Sequence, residues 1–382
     1  MARDLTRIRE KALKEPKTCF TSLYHYVTDL DHLRSCFKQI KPGKAPGIDG
    51  VTKEEYAQDL ESNLQDLTGR LSRLAYKPPA VKRSYIPKVG SKKKRPLGLP
   101  CLEDKVVQMS LARVLEQVYE ADFLECSYGY RLERTQHQAL GELGRTIQRR
   151  KINYVAEADI KGFFDHVNHE WLLKFLAVRI GDKRILRLLW RMLKAGIMED
   201  GLTRASDEGT PQGGNLSPLL SNIYLHYALD LWFERVFKRQ CRGEAYLFRF
   251  ADDFVACFQY REDAESFLEG LKERLAKFHL EIEPTKTKLI EFGRFAEENA
   301  TRKGRKPEHF DFLGFTHYCG RTRQGSFKVK RRTSQKKFRS KLKEMNAWLR
   351  QKRSVLRKGA LLDHFLTLHC AANQRFVREA DQ

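Results

Sequence analysis

Phe250-Ala251-Asp252-Asp253 places two adjacent carboxylates between two apolar runs, Tyr246-Leu247-Phe248-Arg249-Phe250 and Phe254-Val255-Ala256-Cys257-Phe258. Neighbouring carboxylates repel each other, and a cation that coordinates both removes the repulsion. Hard oxygen donors with few soft neighbours favour Mg²⁺. The commoner fate of such a dipeptide is a solvated turn, so the pair acquires meaning only with partners. A third carboxylate, Asp159, lies near the end of the run Tyr154–Ile160. If the elements carrying Asp159 and the Asp252-Asp253 pair are neighbours, the three acids converge. They then suit a phosphoryl-transfer site with two ions roughly 3.5–4 Å apart.

The elements that must position these acids are legible in outline. The two apolar runs read as buried strands, so the pair sits at the tip of a hairpin. Tyr154, Ala156, Ala158 and Ile160 alternate with Glu157 and Asp159, which predicts a strand that delivers Asp159 to a surface. Leu111, Val114, Leu115 and Val118 recur at helical spacing. Gly209-Thr210-Pro211-Gln212-Gly213-Gly214 is a glycine-rich loop. After it Ser217 is placed as the cap of a helix with Pro218 at its first position. Residues 261–278 form another helix, with Phe267, Leu271 and Leu275 on one face. Residues 87–100 read as a basic loop between two strands and 294–309 as a polar linker, while Phe310–Tyr318 resumes as strand or turn. From Ser334 a helix carries Phe338, Leu342, Met345 and Leu349 on one stripe, with lysines and arginines elsewhere. The order of elements predicts an α+β fold.

At 382 residues the chain can bury a sizeable core. Its net charge of +23 points to a polyanionic partner, nucleic acid before anionic membrane. Residues 321–382 hold 18 lysines and arginines against 4 acids, more than half of that excess. This predicts a dedicated polyanion-binding region. No apolar run nears the roughly 20 residues of a membrane span, which predicts a cytoplasmic protein. Eight cysteines without a CxxC pair argue against a zinc ribbon and a disulfide framework.

Eight segments in order carry a resemblance. They are Ala45 to Val51; Arg95 to Pro100 with Glu103-Asp104-Lys105; Ser127-Tyr128-Gly129-Tyr130-Arg131; and Asp159 to Asp165. The rest are Gly209 to Gly214 with Leu216 to Asn222; Phe250 to Asp253; Pro284 to Thr287; and Phe312 to Phe315. Together the segments resemble group II intron-encoded reverse transcriptases, or maturases. The resemblance implies a right-hand polymerase, with fingers, a palm built on an antiparallel sheet, and a helical thumb beginning near residue 325. It implies an N-terminal extension over 1–43, fingers and palm over 44–320, and a basic thumb-like region with a truncated maturase part over 321–382.

The resemblance further implies an RNA-directed DNA polymerase that copies intron RNA and assists splicing and mobility. Asp159, Asp252 and Asp253 would be catalytic. Asp159, Ile160, Asp252 and Asp253 would hold two Mg²⁺, with Mn²⁺ as a substitute. Lys88, Arg95, Phe164, Gln212 and Lys286 would contact the dNTP, and Phe312, Leu313, Gly314 and Phe315 would brace the primer end. Phe164 would close the space for a 2′-hydroxyl and so select dNTP over NTP; the plainer reading puts Phe163 and Phe164 both in the core. Structured intron RNA, an RNA/DNA template–primer duplex and dNTPs are the implied partners. Phe250 stands where most of the family has Tyr, which removes one polar contact near the primer. Two other readings remain open: an RNA-binding splicing cofactor with a vestigial polymerase site, and a defence-associated reverse transcriptase.

Overall fold

The computed structural model describes residues 4–87, 94–199, 202–204, 208–209 and 214–352. The chain divides into two units, residues 1–87 with 93–332, and residues 88–92 with 333–382. Both helices and mostly antiparallel sheets build the first unit, so the fold is α+β.

Three sheets occur among the described residues. β1 (Val81–Pro87), β2 (Lys94–Leu99), β4 (Ile197–Glu199) and β5 (Leu202–Arg204) form the first, in the order β2-β1-β4-β5. The second contains β3 (Tyr154–Ala158), β6 (Ala245–Phe250), β7 (Asp253–Phe258) and β8 (Lys288–Glu291), in the order β6-β7-β3-β8. β9 (His309–Phe312), β10 (Phe315–Arg321) and β11 (Phe327–Thr333) form the third, in the order β11-β10-β9.

The second sheet separates two cores, because alternate side chains leave a strand on opposite faces. Ala156, Ala158, Ile160, Phe254, Ala256 and Phe258 join the larger core with the surrounding helices. Val155, Val255, Cys257, Phe248 and Ile290 join the smaller one, with Phe310 and Phe312 of β9. The helix Leu102–Tyr119 runs through the larger core with Val106, Val107, Leu111, Val114, Leu115 and Val118 fully buried. The N-terminal residues Ile8, Ala12, Phe20, Leu23 and Val27 pack into that same core.

Several local expectations need correction. The loop assigned to residues 87–100 is shorter, because Lys94–Leu99 is a strand paired antiparallel to β1. Pro96 is tolerated there because β2 lies at the sheet edge, where a missing N–H costs no ladder bond. The polar stretch 294–309 contains a helix, Ala296–Arg302, whose one buried residue is Ala296. The side chains of its Asn299 and of Lys303, the residue that follows it, both donate to Glu291, at 2.6 and 2.9 Å. Ser217 is the first residue of its helix rather than its cap; Leu216 takes the cap position and offers no side-chain hydrogen bond. Residues 327–333 are a strand, so the region expected to turn helical near 325 opens with a strand, and the helix read from Ser334 runs Gln335–Lys352.

In the second unit, the helix Gln335–Lys352 carries Phe338 and Leu342 largely exposed, 54% and 42%. Among the described residues no helix is long and apolar enough to cross a membrane.

Candidate active site

β6 and β7 pair so that Phe250 lies opposite Asp253, leaving Ala251-Asp252 as the two-residue turn. Ala251 takes a left-handed φ of 58°, which tight turns demand and β-branched residues resist. The acidic pair is therefore split. Asp252 lies in the turn, and Asp253 is the first residue of β7.

β7 is also paired with β3, and the last registered pair is Ala158 with Phe254. One residue further on, Asp159 comes alongside Asp253. The backbone of Asp159 is held in turn, since its carbonyl accepts from the Glu283 amide at 2.8 Å. Two residues later Lys161 donates its amide to Glu281 at 2.9 Å. Adjacent strands of one sheet thus bring two acids 94 residues apart in sequence to the same sheet end.

The cation touching Asp159 is the Lys286 ammonium, delivered by a short 3₁₀ turn, Pro284–Lys286. Its hydrogen bond to Asp159 raises the lysine pKa and keeps it a cation. Glu157, on the same strand face, is pushed up to about 7 by burial; Lys288 opposes the shift, and Asp311, Asp253 and Asp159 add to it. Negative charge is therefore concentrated on this side of the sheet. Among the described residues, no three His, Cys, Asp or Glu side chains are gathered closely enough to hold an ion by themselves. The chemistry of Asp159, Asp252 and Asp253 nevertheless fits a hard cation, since all three are carboxylates. Ile160 is 3% exposed in the larger core, so only its carbonyl is available as a donor.

Phe163 is buried in the larger core, whereas Phe164 is only partly buried against it, with the rings 5.4 Å apart. One of the two rings is thus a core residue and the other keeps an accessible face. Gly209 meets this segment directly: a β-carbon there would lie 3.0 Å from the Phe164 carbonyl oxygen and 2.9 Å from that of Asp165. Its φ of 86° also excludes most other residues. Lys88 and Gln212 lie outside the described residues. Of Arg95 the backbone is described, opposite Ile86 in the β1–β2 pair.

Phe312 and Phe315 face each other across the β9–β10 hairpin. Leu313 and Gly314 between them have φ of 52° and 82°, as a type I′ turn requires. The Gln136 side-chain amide donates to the Leu313 carbonyl. Phe250 packs beside the smaller core, its ring centroid 6.5 Å from that of Tyr130.

The arrangement includes residues that the sequence reading passed over. Arg249, next to the acidic turn, is fully buried and paired with the fully buried Asp230 at 2.6 Å. An arginine inside an apolar strand and an aspartate inside the apolar run Ala228-Leu229-Asp230-Leu231 were the available signal. A buried charge survives only beside its opposite.

Residues 86–317 match the family model described as reverse transcriptase (RNA-dependent DNA polymerase). Protein YkfC of Escherichia coli K12 is 33% identical over 349 residues, 81% of this chain and 85% of that protein. The group II intron-encoded protein LtrA of Lactococcus lactis is 35% identical over 224 residues, 58% of this chain but 37% of LtrA. A putative COX1/OXI3 intron 2 protein of Saccharomyces cerevisiae is 28% identical over 238 residues, 62% of this chain and 27% of that protein. The matched part thus spans little more than a third of LtrA and about a quarter of the yeast protein. The chain belongs to the reverse transcriptase (RNA-dependent DNA polymerase) family and is similar, within it, to group II intron-encoded proteins.

Proposed function

We propose that this protein is an RNA-directed DNA polymerase of the group II intron type. One observation carries the reading: the β3–β7 register that sets Asp159 alongside Asp253 at the end of one sheet. Asp159, Asp252 and Asp253 are the residues that would hold divalent ions, with the Ile160 carbonyl as a further oxygen donor. When bound, such ions lower the pKa of a primer 3′-hydroxyl and neutralise charge on the triphosphate.

The remaining roles belong to the chain's own groups. Lys286, held protonated beside Asp159, is within reach of the same centre and would turn its charge to the leaving phosphates. Phe164 offers its accessible ring face beneath the sugar and has no polar atom to welcome a 2′-hydroxyl. Lys88, Arg95 and Gln212 complete the nucleotide contacts in this reading. Phe312–Phe315 braces the primer end from a rigid hairpin. The β6-β7-β3-β8 sheet would be the palm, the elements before it together with residues 165–205 the fingers, and the basic helix from Gln335 the start of a thumb. The proposed limits are 1–43 for an N-terminal extension, 44–320 for fingers and palm, and 321–382 for the basic thumb-like region.

The deciding assay is primed poly-riboadenylate with dTTP and Mg²⁺, run beside Asp252→Asn/Asp253→Asn. Incorporation by the wild type and its loss in the double variant support the polymerase. A second reading, an RNA-binding splicing cofactor with a vestigial polymerase site, would use the same excess of positive charge in residues 321–382. Tight binding to a structured intron RNA without any incorporation would select it. Phe164→Ala tests the sugar gate: unchanged dNTP/NTP discrimination rejects it.

A further inference from the structure

The guanidinium of Arg249 has an acceptor for every donor. Nε and Nη2 donate to the two carboxylate oxygens of Asp230, at 2.7 and 2.6 Å. Nη1 donates to Asn222 Oδ1 at 2.9 Å and to the carbonyl of Ala251 at 2.9 Å. Nη2 also donates to Ser127 Oγ at 2.8 Å. Arg249, Asp230, Asn222 and Ser127 are all fully buried. One of the five bonds therefore ends on the turn that carries Asp252 and Asp253. The other four fix the guanidinium itself.

Two separate stretches of chain supply those anchors. Ser127 belongs to Ser127-Tyr128-Gly129-Tyr130-Arg131, which lies along the outer edge of β6. Arg249 donates its amide to the Cys126 carbonyl at 2.7 Å, and its carbonyl accepts from the Tyr128 amide at 2.8 Å. A β-carbon on Gly129 would collide with the Ala251 amide, so glycine is what lets this segment lie against the turn. Asn222 closes the circle by donating to the Gly129 carbonyl at 2.6 Å. Arg131 holds the segment from behind, donating to the carbonyls of Leu124 and Ser127 at 2.8 and 2.9 Å.

Asn222 and Asp230 come from one helix, eight residues apart. On a regular α-helix that spacing leaves them about 80° apart around the axis. The helix is not regular: residues 226–230 are π-helical, between α-helical Ser217–Leu225 and the residues that follow. A π turn takes in one extra residue, so the pair behaves as i, i+7 and falls within roughly 20° of one face. Both side chains can then reach one guanidinium.

We propose that Arg249 is a positioning residue for the acidic turn, with Ser127, Asn222 and Asp230 as its clamp and the π turn as the device that aims the clamp. Its consequence for metal binding rests on the polymerase reading; its effect on the turn does not. A planar fork with five donors can serve all these acceptors at once, and a lysine ammonium cannot.

The test is hydrogen exchange read by mass spectrometry on peptides covering 245–258, in Asn222→Ala and Ser127→Ala, with Arg249→Lys as the sharper variant if it folds. The expected result is exchange at Ala251–Asp253 about tenfold faster, with β3 and the helix Arg261–Ala276 as protected as in the wild type. Unchanged exchange at the turn overturns the proposal, as does an equal increase across the whole sheet, which a merely structural role would produce. In primer extension the same variants should need severalfold more Mg²⁺ for half-activation, with the KM for dTTP within twofold. An unaltered Mg²⁺ requirement in Asn222→Ala overturns the link to the acids. A wild type that incorporates nothing sinks the polymerase reading, and the exchange measurement still decides the positioning role.

Discussion

Arg249 and the helix Gln335–Lys352 use positive charge in opposite ways. Arg249 is fully buried, and its donors are spent on named acceptors inside the protein. The helix carries seven lysines and arginines against one acid, with most of their side chains in solvent. Desolvating a charge costs several kcal/mol, so the first arrangement persists only because every partner is in place. The second costs little and contributes a field that falls off over a Debye length, about 8 Å at physiological salt. A buried charge therefore specifies where an atom sits, and a solvated cluster specifies what kind of molecule approaches.

The contrast can be broken from either side. The largest effect is expected at the turn that Arg249 holds. Asp252→Asn/Asp253→Asn should lower dTMP incorporation by roughly 10²–10³-fold or more while the thermal melt stays close to wild type. A melt lowered by many degrees would mean that the acids serve the fold instead. Next, Asp230→Ala leaves Arg249 buried without its counter-charge and should cost about 3–5 kcal/mol in denaturant unfolding. A loss below ~1 kcal/mol would show that Arg249 reaches water.

Asp104 sharpens the comparison, because it is buried and, among the described residues, no cation pairs with it. The Tyr76 hydroxyl donates to it, yet burial pushes its carboxyl up to about 7. The folded protein then keeps a proton that the unfolded chain loses near pH 4. Stability should accordingly fall as pH rises from about 4 to 7, by on the order of 2–4 kcal/mol. Asp104→Asn should flatten that part of the profile in melts taken across the range; an unaltered slope would assign it elsewhere. The smallest effect on the fold is expected in the basic helix. Replacing Lys336, Arg339 and Lys343 by Gln should leave stability within about 0.5 kcal/mol. The slope of log K against log salt for a template–primer duplex should become shallower by about 1 for each side chain that meets a phosphate. An unchanged slope would show that this helix does not meet the duplex.

The hairpin bearing Asp252 and Asp253 was legible because both signals are local: apolar runs of strand length and a two-residue break between them. The strand ending before Asp159 was legible from its alternation. Ala296–Arg302 was not, because it buries one alanine and owes its place to Glu291 on β8. Phe327–Thr333 was not, because its lysines and arginines mask a strand that gains its partner only from β10. The Ser127–Arg131 segment could be noticed as a motif, but nothing in its own residues says that it lies against the acidic turn.

By itself, the order of residues determined the strands around the acidic turn, the turn, the excess of positive charge and the family, because each depends on composition or on spacing within one short window. Tertiary structure alone decided that Asp159 stands beside Asp253, that Lys286 pairs with it, and that Arg249 is neutralised by Asp230. These depend on strand register and on a π turn that rotates one side chain onto another's face. Both arise from packing among segments up to about 130 residues apart, and no single segment's pattern encodes them.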